Sequence, residues 1–223
     1  MNTGDWIDLL ANQAGPAPRA VVARRLGPAL ALGVALAVVL ATGWPWRPWT
    51  AGSAGAVLAL KLGYTGLVLL AAAALAGQLA RPFVVAAVAA RWRAPSRLRA
   101  GLAVLVAGWL TMALLAWWSV RGQAPSPWSA FTGGGTASVC AWSITGLSLP
   151  ALAAGFWALR GLAPTRLRWA GAAVGLAAGG AGALAYGVVC PETSTAFIAL
   201  WYTVAMAVPA ALGALLGRRL LRW

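Results

Sequence analysis

An all-α, polytopic membrane protein with six transmembrane helices is the fold this sequence predicts, on three observations. Hydrophobic residues make up 61% of the 223 positions and charged residues only 9%, against about 45–50% and about 25% in a soluble domain. The apolar residues gather into six runs, each close to the ~20 residues with which an α-helix crosses the hydrocarbon. The runs are unbroken and lack two-residue alternation, which excludes a membrane barrel and leaves helices to satisfy the backbone in lipid.

Residues 1–26 read as a cytoplasmic tail. Asp5 is placed to cap a short helix and Asp8 to sit in its first turn, where acids favour the helix dipole. Trp6, Leu9, Leu10 and Gln13 share one face, and Gly15-Pro16 ends the segment. Two to three turns are marginal for a free helix in water. One reading is therefore a loose or membrane-lying tail. The other is a recognition helix that orders on a partner, through Asp5, Trp6, Ile7, Asp8, Leu9 and Leu10. The first ten residues carry two acids and no base, unlike a secretory leader, so the first apolar run is expected to stay as a span.

The spanning domain covers 27–217, with runs at 27–45, 55–79, 100–119, 138–160, 169–189 and 196–217, and a short tail at 218–223. Lys61 lies about two turns inside the second run. Its stem is expected to snorkel back to the interface; the alternative is an ion pair with Glu192. The gap at 80–99 holds an apolar stretch, Pro82–Ala90, too short to span and bracketed by Arg81 and Arg91. It reads as an extension of the second helix or an in-plane helix at the surface. Gly171, Gly175 and Gly179 form a small-residue ladder in the fifth run, suited to close helix packing within the chain. Pro150 and Pro209 are expected to kink the fourth and sixth runs.

Charge orients the chain. Fourteen of the seventeen basic residues fall in the N-terminal tail, the second and fourth gaps and the C-terminus. Arg47 and Arg121 fall in the alternate gaps. The positive-inside rule then places both termini in the cytoplasm. A net charge of +14 would suit nucleic acid, but these arginines flank spans and are read as orientation signals that meet anionic lipid. Trp44, Trp46, Trp49, Trp117, Trp118 and Trp128 cluster at the outer ends, the interfacial position that indole rings favour.

What is missing narrows function. The chain has no His, and its acids are Asp5, Asp8 and Glu192 alone. No carboxylate lies at bilayer depth, where proton-coupled transporters place theirs. Paired carboxylates, a Ser–His base and a His-ligated metal site are equally out of reach. The protein is expected not to be an enzyme and to need no cofactor.

Cys140 opens the fourth span and Cys190 closes the fifth, so the topology sets both thiols at the outer face at similar depth. Three readings stay open. Buried cysteine often serves as a small apolar residue, and outward pairs often form a plain structural disulfide. The third is a sensing pair, oxidised to a disulfide or bridged transiently by a soft metal ion. A switch from 1:99 to 99:1 takes about 5.5 kcal/mol, whereas a disulfide supplies ~2–4 kcal/mol. Oxidation alone would shift such a balance only in part, and soft-metal coordination could contribute more.

The stretch Cys190-Pro191-Glu192-Thr193-Ser194, then Phe197 and Trp201-Tyr202, follows the isolated Cys140, six spans and a short acidic-hydrophobic N-terminus ahead of Arg19–Arg25. Together these features resemble the NrsF family of integral-membrane anti-sigma factors, over essentially the whole chain. The resemblance implies a bacterial inner-membrane regulator that keeps an extracytoplasmic-function sigma factor from RNA polymerase, with no direct nucleic-acid contact. It implies that Cys140 and Cys190 take part in sensing oxidant or heavy-metal stress, and that the partner binds the cytoplasmic face. From another class, a small transporter or channel would need a polar path, for which the spans offer scattered Ser and Thr, Tyr64 and Lys61.

Overall fold

The computed structural model describes residues 3–13, 20–43, 54–81, 96–121, 131, 137–162 and 164–222. Among these residues the structure is helical, without strands. A short helix α1, Thr3–Gln13, precedes six long ones: α2, Val21–Thr42; α3, Ala54–Leu79; α4, Ser96–Val120; α5, Ala137–Arg160; α6, Leu167–Val189; and α7, Thr195–Leu220. All six are long and apolar enough to cross a membrane. The stretch Pro82–Ala90, expected as an extension of the second span or an in-plane helix, lies outside the described residues with Arg91 and Arg93. So do Gly15, Pro16, Arg19 and Arg47, together with Trp44, Trp46, Trp49 and Trp128.

The observed spans match the apolar runs, with two informative extensions. α2 starts at Val21 rather than near residue 27, so Arg24 and Arg25 lie in its first turns and Pro28 falls inside the helix. α4 starts at Ser96 and takes Arg97 and Arg99 into its first turn. Long basic side chains can ride on a helix end and reach back to the headgroups, so charge does not mark where the helix stops. α5 and α7 continue as helices through Pro150 and Pro209.

Helix α6 is the axis of the bundle. It is composed largely of Gly and Ala and is buried along most of its length. Without a strong hydrophobic drive between helices in lipid, close backbone approach supplies the packing. The ladder faces α7: a Cβ at Gly171 would run into Gly213, one at Gly175 into Pro209, and one at Gly179 into Met206. Gly180 lies against Leu69 of α3, and Gly182 against Ile144 and Ser148 of α5. Gly33 of α2 in turn meets Ala151 of α5. The peripheral helix α4 touches α3 through Gly101 against Leu75 and Gly108 against Leu67, and leaves Trp109, Leu114, Trp117 and Trp118 exposed.

This seam gives a paired prediction. Gly213→Ala places its new methyl against the backbone of Gly171 and is expected to destabilise by about 1–3 kcal/mol. Gly146→Ala, where nothing lies within 4 Å, should be neutral or gain up to about 1 kcal/mol from helix propensity. Thermal unfolding in detergent, followed by Trp fluorescence, separates the two.

Six spans bring the start of α2 and the finish of α7 to the same end. There the Arg25 guanidinium abuts Gly161, and Arg160 Nε donates to the Leu220 carbonyl at 3.1 Å. Cys140 and Cys190 lie at the opposite end.

Candidate functional site

Four helices converge on the two sulfurs. Cys140 sits in the first turn of α5. Cys190 is the C-cap of α6, its N–H donating to the Tyr186 carbonyl at 2.9 Å. Pro191 has no N–H to continue the helix, and the chain reverses through 191–194. Ser194 then caps α7 by accepting from Phe197 N at 3.4 Å. The cysteines are free, adjoin each other closely enough for thiol-to-thiol hydrogen bonding, and are 0% and 1% exposed. The sequence reading put this pair at the outer face and left its burial open; within the protein it is enclosed.

Tyr202 of α7 forms part of that enclosure, at the end of a wide π turn over Ile198–Tyr202. Ile198, Tyr202 and Met206 recur at four-residue spacing on one helix face and are buried together with Phe197. Trp201 instead donates from Nε1 to the Phe131 carbonyl at 2.8 Å. The Tyr202 hydroxyl is buried beside Cys190, yet makes no hydrogen bond of good geometry among the described residues. Such π turns recur at functional sites.

Lys61 of α3 is 0% exposed. Its Nζ donates to the Cys190 carbonyl at 2.8 Å and lies 5.9 Å from the Tyr202 ring centroid. The snorkelling expected for it is therefore not what the fold adopts. The cap carbonyl of α6 has no partner within its helix and offers a buried acceptor. Glu192, half-buried in the link between α6 and α7, is within electrostatic reach of Lys61 and both thiols.

The Cys140 thiol, the Lys61 ammonium and the Glu192 N–H all lie within reach of the Cys190 sulfur. Lys61→Ala would leave the Cys190 carbonyl without its bond, and an unsatisfied buried acceptor costs about 1–3 kcal/mol. Lys61→Met keeps the volume and isolates that loss from the void. Both are expected to lower the unfolding midpoint, Ala more than Met.

Sequence reasoning named Tyr64 only as a polar residue of a possible path and passed over its neighbours. Tyr64 Oη pairs with Thr203 Oγ1 at 2.7 Å, the fully buried Thr65 donates to the Lys61 carbonyl at 2.8 Å, and Tyr186 packs beside Ser143 and Cys190. The signal was present in α3. Lys61, Tyr64 and Thr65 fall at i, i+3 and i+4, one polar face in an otherwise apolar span.

Helix α1 stands apart from this cluster. It begins at Thr3, so Asp5 is within its first turn rather than at its cap. Trp6, Ile7, Asp8, Leu9 and Leu10 are all exposed.

A family described as NrsF, negative regulator of sigma F, matches residues 10–223. The chain is 35% identical over 239 aligned positions to the anti-sigma-F factor NrsF of Caulobacter vibrioides (strain NA1000 / CB15N), covering 100% of both chains. It is 47% identical over 90 residues to a protein of Azospira oryzae (strain ATCC BAA-33 / DSM 13638 / PS) named "Probable anti-sigma-F factor NrsF", covering 40% of this chain and 42% of that one. No solved structure matches.

Proposed function

Because the chain belongs to the NrsF family of negative regulators of sigma F, we propose that it is an anti-sigma factor of the bacterial inner membrane. Its partner is a sigma factor of the extracytoplasmic-function class, held at the cytoplasmic face and released when Cys140 and Cys190 meet an oxidant or a soft metal ion. The full-length likeness to a protein named as an anti-sigma factor is the observation that carries the regulatory role. The sidedness rests on fourteen of seventeen basic residues falling in the tails and alternate gaps, which puts both termini inside.

In this reading α1 grips the sigma factor through Trp6, Ile7, Leu9 and Leu10, with Asp5 and Asp8 supplying charge. At the other end, the thiol pair joins α5 to the cap of α6, and both helices run directly to the inner end. Oxidation or metal capture at the sulfurs shifts those helices against one another and alters the face the partner sees. Lys61 and Glu192 form an ion pair that holds the 190–194 link over the thiols.

The decisive experiment is recovery of a co-expressed extracytoplasmic-function sigma factor with the full-length protein from solubilised membranes. Recovery no greater than with an unrelated membrane protein present in equal amount would overturn the proposal. Impermeant labelling of single-cysteine variants in intact cells tests the orientation: a cysteine placed in the tail should be silent until the membrane is opened. Uptake of solute by liposomes carrying the protein would favour a transporter instead.

A further inference from the structure

Where α6 begins and α7 finishes, the bundle carries positive charge that it cannot neutralise. Arg166, Arg168, Arg218 and Arg222 line a depression of 370 Å³, together with Leu167 and Trp169. The glycine seam creates it, since Gly171 against Gly213 and Gly217 runs the two helix ends backbone to backbone. Like charges this close repel. The chain has three acids; Glu192 is at the opposite end of the bundle, and Asp5 and Asp8 belong to α1. The acidic side chains of the spanning domain leave these four guanidiniums unbalanced, and a terminal carboxylate next to Arg222 would offset at most one of them.

A second depression of 300 Å³ adjoins the first. It shares Arg168 and Trp169 and continues between Ala172 and Ala214. These alanines lie about one turn farther into the spans than the arginines, so the crevice runs from a charged rim towards the hydrocarbon. Trp169, 67% exposed, stands at the boundary where indoles settle.

We propose that this paired depression binds one anionic phospholipid, its phosphate among the guanidiniums and an acyl chain in the Ala172–Ala214 crevice. The planar guanidinium fork matches phosphate oxygens, and basic pockets between spans hold anionic headgroups. A free anion or an acidic protein segment would answer the charge but leave the apolar crevice unfilled. The lipid answers both.

The test uses the full chain in a neutral detergent, with phosphatidylglycerol, phosphatidylcholine of the same chains, or glycerol 3-phosphate added. Phosphatidylglycerol alone should raise the unfolding midpoint, and native mass spectrometry should find one molecule retained per chain. Arg168→Gln with Arg218→Gln should weaken its apparent affinity by about fivefold per arginine removed. Arg97→Gln with Arg99→Gln, an equal loss of charge at the same end of the bundle, should leave it unchanged. Ala214→Trp should abolish retention with every arginine in place. If that variant fails to fold, the arginine pairs decide the matter. Equal weakening by the Arg97/Arg99 pair would overturn the site in favour of general charge attraction. Equal stabilisation by glycerol 3-phosphate would overturn it in favour of a free anion. Tighter lipid binding after removal of residues 1–15 would assign the pocket to the acidic tail.

Discussion

A chain lacking residues 1–15 is expected to lose its sigma factor in co-purification and to leave the dependent promoters constitutively active. α1 presents Trp6, Ile7, Leu9 and Leu10 to solvent, each more than 40% exposed. A folded chain rarely leaves four large apolar side chains on so short an element without a surface to cover them. Burying one such side chain contributes roughly 1.5–3 kcal/mol, and a few central residues commonly dominate an interface. Trp6→Ala with Leu10→Ala alone should therefore weaken binding about 100-fold, the equivalent of about 2.8 kcal/mol. Spans α2–α7 should unfold at an unchanged midpoint, which separates lost grip from lost fold. Undiminished recovery of the sigma factor from the truncated chain would move the binding surface to the arginine-rich gaps.

The second large effect concerns the signal. Cells carrying Cys140→Ser and Cys190→Ser should keep repression and lose induction by oxidant or soft metal, measured with a reporter under the sigma factor's control. Either single substitution should do the same, because a bridge or a two-thiolate site needs both sulfurs. The sulfurs are already neighbours, so a bridge needs no prior approach of α5 and α6, and its effect is to bias the balance between two arrangements of those helices. If ~2–4 kcal/mol of disulfide stabilisation acted wholly on a state populated at ~1%, that state would reach only about one fifth to nine tenths. Graded rather than all-or-none induction by peroxide is the corresponding expectation. Enclosure under Tyr202 and Lys61 adds a filter: small species should reach the pair far faster than bulky alkylating reagents. A double Ser variant that still induces normally would remove the thiols from the sensing step.

Much of the architecture was legible from hydropathy, since lipid leaves a helix little alternative over a run of ~20 apolar residues. Helix ends were less so. Arg24, Arg25, Arg97 and Arg99 look like loop residues in sequence, yet they lie in first turns, because a long basic side chain is compatible with a helix end at the headgroups. The ladder at Gly171, Gly175 and Gly179 was visible, but its counterpart at Gly213 and Gly217 could only be matched once α6 and α7 were seen side by side. The thiol pair was legible as two residues at one depth. What surrounds it was not. Lys61 is about 130 positions from its acceptor, and no local pattern announces that a helix cap will claim it. The extra residue in the turn at Ile198–Tyr202 likewise has no one-dimensional signature.

The Gly- and Ala-rich make-up of α6 bears on how this chain tolerates mutational change. Its neighbours press on its main chain from several directions, so enlargement at Gly171, Gly175, Gly179, Gly180 or Gly182 displaces a neighbouring backbone rather than a rotamer. In a saturation screen for folded protein at the membrane, α6 should appear as an almost uninterrupted intolerant band. The tryptophan-studded α4, facing lipid over most of its surface, should accept apolar exchange nearly anywhere. Divergence among functional variants would then accumulate at the rim of the molecule and spare its axis.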